Sequence, residues 1–101
     1  MKANEQIGML ASLTVEKEAI ARMTALNNEI WNTETNMGIE GLSSAYHIGG
    51  AYFLRLAELG NDFNKLWEYH LEGLLREYLR GMEDAETKLL NLKKAYDSVE
   101  L

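Results

Sequence analysis

With 101 residues and a net charge of −6, the chain is sized for one domain and ill suited to nucleic acid, because nonspecific binding to phosphates is driven by lysine and arginine releasing counterions. The apolar fraction of 47% beside 26% charged residues is a globular composition, and the absence of proline favours unbroken helices. Without cysteine there is no disulfide framework or thiolate metal site. No apolar run approaches membrane-spanning length, and Met1-Lys2 leads into mixed polar sequence. The expectation is a soluble cytoplasmic protein with neither membrane nor direct nucleic-acid partner.

Residues 1–13 read as a lead-in, either a short helix or disordered, before a single helical domain over 14–101. From Thr14, a plausible N-cap, Ala19, Ile20, Met23, Leu26 and Ile30 recur at helical steps, which predicts a first helix over about 14–31. The period vanishes over 32–47, where Asn32, Thr33, Thr35, Asn36, Gly38, Gly41, Ser43 and Ser44 supply turn chemistry. So long a loop in a small domain is either a mobile surface segment or a binding one.

Ile48, Tyr52, Phe53, Leu56 and Leu59 then mark a second helix over about 48–59, with Gly60 as its stop. Phe63, Leu66, Trp67, His70, Leu71, Leu74, Leu75, Tyr78 and Leu79 give the clearest helical stripe of the chain, over about 62–80. Asp62 can cap its start and Gly81 close its end, while Glu72 and Arg76 can pair across one turn. Met82, Ala85, Leu89, Leu92, Tyr96 and Val99 form the last stripe, over about 82–99. No strand-period segment competes, so the fold class expected is all-α, an irregular bundle of about four helices joined by short links.

No phosphate-binding loop is present, and His47 and His70 are too far apart to suggest a metal site. His70 lies on the apolar stripe as a core histidine would. Glu83, Asp84 and Glu86 crowd a helix start, where they complement its dipole. A small enzyme built on His47 and a neighbouring glutamate is a remote alternative. Trp31 and Tyr46 are the aromatic residues that flank the loop and fall off the helical stripes. Between Tyr46 and Phe53, the Gly49-Gly50 pair opens an aromatic-rich helix, where missing side chains permit a phosphate, a ribose or another backbone to approach free amides. A tight turn into a helix would use the same residues.

This segment resembles the C-terminal end of McrB-type AAA+ proteins, the nucleotide-hydrolysing subunits of 5-methylcytosine-specific restriction systems, and their dynein/MoxR-like relatives. Those proteins carry a Tyr-x-Ile-Gly-His-Ser-Tyr-Phe-like stretch and then a Leu-Trp-x-Tyr-x-Ile-x-Pro-Leu-Leu-x-Glu-Tyr-like helix. The counterparts here are Tyr46, Ile48, Gly49, Tyr52 and Phe53, then Leu66, Trp67, Tyr69, Leu71, Leu74, Leu75, Glu77 and Tyr78. Leu26-Asn27-Asn28-Glu29-Ile30 looks like the helix that begins the family's lid, so the resemblance spans about Thr14 to Arg80. Gly50 stands where the family stretch has histidine, and Gly73 where it has proline.

The resemblance implies an α-helical lid fragment without catalysis of its own. It would cover a nucleotide held by the αβ core of its parent and relay hydrolysis to a neighbouring subunit. Tyr46, His47, Ile48, Gly49 and Gly50 would face the nucleotide, ATP or GTP with Mg in the intact parent, with no cofactor belonging to this chain alone. The alternative is a free-standing helical interaction module whose last stripe, spaced like a coiled-coil seam, meets a partner helix or a second copy.

Overall fold

The computed structural model describes residues 2–99, with side chains from Thr14 to Val99. The chain is mostly helical with one small two-stranded sheet. In order come α1 (Lys2–Ile30), β1 (Trp31–Asn32), β2 (Met37–Gly38), a 3₁₀ turn at Ser44–Tyr46 and α2 (Gly50–Phe53), which runs into a 3₁₀ segment at Leu54–Leu59. Then follow α3 (Phe63–Leu66), a π turn at Trp67–Leu71, α4 (Glu72–Tyr78) and α5 (Ala85–Asp97).

α1 begins earlier than the apolar period suggests, so Thr14 lies inside the helix instead of capping it. The stretch before it contains alanine, glutamate, glutamine, leucine and methionine and no proline, so backbone preference carries the helix where the stripe does not. The side chains of Ile7, Met9, Leu10 and Leu13 lie outside the described residues. Leu26 and Ile30 are wholly buried, whereas Ile20, expected on the same face, is half exposed.

The strongest departure from an all-α bundle is the hairpin. Trp31 pairs with Gly38 and Asn32 with Met37, antiparallel. Two-residue strands are too short to show an alternating pattern, and turn chemistry alone closes this one. Asn32 Oδ1 accepts from the amides of Glu34 and Thr35, and Asn36 takes the left-handed conformation. Gly38 allows the close pairing, since a β-carbon there would stand 2.4 Å from the Ile30 carbonyl oxygen. The segment expected to lack structure therefore folds back on the end of α1, where the Ile39 amide donates to Ile30.

The second predicted helix is mostly 3₁₀. With three residues per turn, Phe53, Leu56 and Leu59 share one face, and Tyr52, expected beside them, turns toward solvent. Gly60 ends the segment in the left-handed conformation. Asp62 caps α3 as expected, its carboxylate accepting from the amides of Asn64 and Lys65.

The third predicted helix is interrupted by its π turn. From Phe63 to Leu71 is eight residues, which in a regular α-helix would rotate the two apart by about 80°. The wider turn absorbs that drift and lets Phe63, Leu71, Leu75 and Leu79 all enter the core. Across the turn, Trp67 Nε1 donates to Glu72 at 3.2 Å. His70, Leu74 and Tyr78, predicted on this stripe, are only partly buried.

α5 closes the bundle with Leu89, Leu92 and Tyr96 buried. It starts at Ala85, after Asp84, which is itself left-handed and gives no side-chain cap, so the predicted start near Met82 lies before the helix. Val99 lies just beyond its end. The Tyr96 ring packs at 5.3 Å from Trp67, and its hydroxyl donates to the Phe63 carbonyl at 2.8 Å. Arg22 of α1 completes this knot. Its guanidinium donates to the Tyr96 carbonyl at 2.6 Å, pairs with Glu18 and lies over the rings of Phe63 and Tyr96.

Burial holds the Tyr96 phenol well above its ordinary range; Arg22 opposes the shift, and Asp97, Glu18 and Asp62 add to it. A phenol whose pKa is raised by folding favours the folded state while neutral, so this contribution is intact below about pH 10 and is lost as pH climbs beyond it. Tyr96→Phe removes the hydroxyl's bond to the Phe63 carbonyl, which keeps the Trp67 amide, and should lower stability by about 1 kcal/mol at neutral pH. Denaturant titrations at pH 7 and pH 11 should also show a smaller alkaline loss in the variant than in the parent.

Candidate functional site

The segment from Tyr46 to Phe53 crosses the last turn of α1 and is gripped there at two points. Asn27 Oδ1 accepts from the Ile48 amide at 2.6 Å, and Asn27 Nδ2 donates to the Ile48 carbonyl at 3.0 Å. One side chain thus satisfies both backbone groups of one residue, as a neighbouring strand would. Four residues on, at the start of β1, the Trp31 carbonyl lies 2.7 Å from His47 Nε2, which donates to it in the tautomer carrying hydrogen on that nitrogen.

The five residues expected to face a ligand do not behave alike. Ile48 is 2% exposed, its side chain in the core and its peptide held by Asn27, so it positions the segment and presents nothing outward. His47 is half-buried against Trp31. Gly49 and Gly50 are exposed, and a β-carbon built on either would meet nothing within 4 Å. Gly49 has an ordinary extended conformation and no side chain to cap α2, whose first amides lack acceptors within the helix. The pair is therefore bare backbone at the surface, neither sealed in the bundle nor forced by strain to be glycine.

Three tyrosines gather beside it. Tyr46 and Tyr78 stand edge to face, ring centroids 5.0 Å apart and planes at 80°. Burial raises the Tyr78 phenol above its ordinary value, and the nearby phenols of Tyr52 and Tyr46 oppose its ionisation further. Spacing assigns Tyr52 and Tyr78 to buried stripes. The short α2 presents the first to solvent, and α4 leaves the second at the rim. Neither Tyr52 and Tyr78 nor Asn27 is marked as a site residue by sequence spacing. The signal for Asn27 is an asparagine inside the last turns of a helix, where its backbone preference is poor.

On the other side of Gly50 runs an open groove of about 460 Å³ between α1 and the 3₁₀ segment, with Val15, Ile20, Met23, Phe53 and Leu54 among its walls. Ile20 is 50% and Leu54 78% exposed, so this is an uncovered apolar surface. Among the described residues no group of three or more histidine or acidic side chains could hold a metal ion, and no helix is long and apolar enough to cross a membrane. Glu83, Asp84 and Glu86 are exposed, and Glu86 pairs with Arg76, which also holds Glu72.

No protein-family model, curated protein or solved structure matches this chain.

Gly50→Ala separates folding from recognition. With open space at that β-carbon and an ordinary helical position, alanine should leave the melting temperature unchanged or raise stability by up to about 1 kcal/mol. Any ligand that approaches the bare backbone should bind more weakly. A fall in stability would mean that the glycine serves the fold.

Proposed function

We propose that the chain is the C-terminal α-helical lid fragment of an AAA+ nucleoside triphosphatase, covering the nucleotide and relaying hydrolysis to a neighbouring subunit, with no catalysis of its own. The observation that carries this reading is the Asn27 clamp on Ile48. It ties together the two stretches that resemble the restriction-type lid, Leu26 to Ile30 and Tyr46 to Phe53. Tyr78, from the third resembling stretch, arrives at the same place.

The bare Gly49-Gly50 backbone suits close approach by a sugar or phosphate, and the tyrosines around it suit a planar or hydroxyl-bearing surface. No lysine or arginine lies between Tyr46 and Phe53, so the charge of ATP or GTP and its Mg would be met by the αβ core of the parent. The chain would contribute cover and orientation.

The test joins this chain to the αβ core encoded with it and measures binding of fluorescent ATP and GTP analogues to the core with and without the lid. The expected result is about a tenfold or larger gain in affinity on adding the lid, equivalent to about 1.4 kcal/mol. Equal affinities, or the absence of any phosphate-loop core encoded with the chain, would reject the reading.

The exposed groove at Ile20 and Leu54 favours a second reading, a free-standing helical module that binds a partner or another copy of itself. The seam expected on α5 does not supply this surface, because Leu89, Leu92 and Tyr96 are spent on the bundle's own core. Sedimentation at micromolar concentration should show a dimer if the groove self-associates. A strictly monomeric profile removes that version.

A further inference from the structure

We infer that Asn27 is the positioning residue for the Gly49-Gly50 surface, holding the pair in the shape that meets the ligand without touching the ligand itself. The inference rests on the lid reading for what the ligand is, but its geometric half stands alone. Gly49 and Gly50 have no side chains, and nothing lies within 4 Å of where those side chains would begin. Their placement is therefore inherited from their neighbours. Downstream, Phe53 is anchored in the core. Upstream, the first anchor is Ile48, and both polar groups of its peptide are bonded to Asn27.

The residue type is demanding. Pairing with an amide N–H and a carbonyl of the same residue requires one acceptor and one donor at fixed separation, which a primary amide supplies. Aspartate offers two acceptors at neutral pH, so it keeps the bond to the Ile48 amide and sets a carboxylate oxygen against the Ile48 carbonyl. Leucine has nearly the same shape and keeps neither bond. The rigid support is α1 itself, which Arg22 binds to α5 through the Tyr96 carbonyl. Helix α1 is thereby coupled to the glycine surface through Asn27, with His47 on the Trp31 carbonyl as a second attachment.

The experiment compares wild type, Asn27→Asp and Asn27→Leu by nitrogen-15 NMR and thermal melting of the whole chain, and then by nucleotide-analogue binding to each lid joined to its αβ core. In both variants the Gly49 and Gly50 amide signals should move, and in Asn27→Leu the Ile48 amide should exchange about tenfold faster or more, while the amides of Leu66 and Leu92 keep their protection. Nucleotide affinity should fall about tenfold. Two variants of opposite chemistry guard against one failing to fold, since Leu preserves packing and Asp preserves half of the pairing. Unmoved glycine signals in a folded variant overturn the positioning role, whatever nucleotide does. Unequal glycine signals with no nucleotide binding even by the wild-type lid joined to its core would leave the positioning role standing and overturn the lid reading.

Discussion

The Tyr96 side chain is the constraint on which the remaining architecture depends. Its hydroxyl reaches the Phe63 carbonyl from inside the core, its ring packs on Trp67, and its carbonyl receives the Arg22 guanidinium. Those contacts join α5 to α3, to the π turn and to α1. A buried phenol must find an acceptor, and a half-buried guanidinium must find several, so each restricts where the other can sit. The result is that the last turns of α1, where Asn27 lies just before Trp31 of β1, are held in one place relative to the bundle.

From that support the glycine surface is built with little material. Asn27 and the Trp31 carbonyl fix Ile48 and His47, the Ile48 side chain anchors in the core, and the next two residues are left as exposed backbone. The hairpin contributes in the same way. By folding back on the end of α1 it delivers the chain from Ile30 to the 3₁₀ turn at Ser44–Tyr46 without a long free loop. The exposed backbone is secured from behind, because exposed peptide groups cannot secure themselves.

The open groove beside Gly50 is the other feature that a self-sufficient bundle would not need. Leu54 and Ile20 stand out of the core although their neighbours Phe53, Leu56 and Leu26 are packed into it. The bare backbone and the uncovered apolar wall meet at Gly50, which lines the groove. Both features are consistent with a piece that fits against a larger body, the premise shared by the lid reading and the interaction-module reading.

Periodicity alone determined that Leu26, Ile30, Phe53, Leu56, Leu66, Leu71, Leu75, Leu89 and Leu92 form a helical core, because apolar burial and helical geometry are both local in sequence. Local turn chemistry likewise marked Asp62 and Gly60, whose roles depend on neighbours a few residues away. What only the tertiary structure decided are the matters of winding and of distant pairing. The 3₁₀ segment keeps Leu56 and Leu59 on the Phe53 face, the π turn brings Leu71 into line with Phe63, and a hairpin of two-residue strands has too few residues to show a period. The Asn27 clamp spans 21 residues of sequence, and a donor and acceptor so far apart are matched only when α1 and the glycine segment have already been brought together.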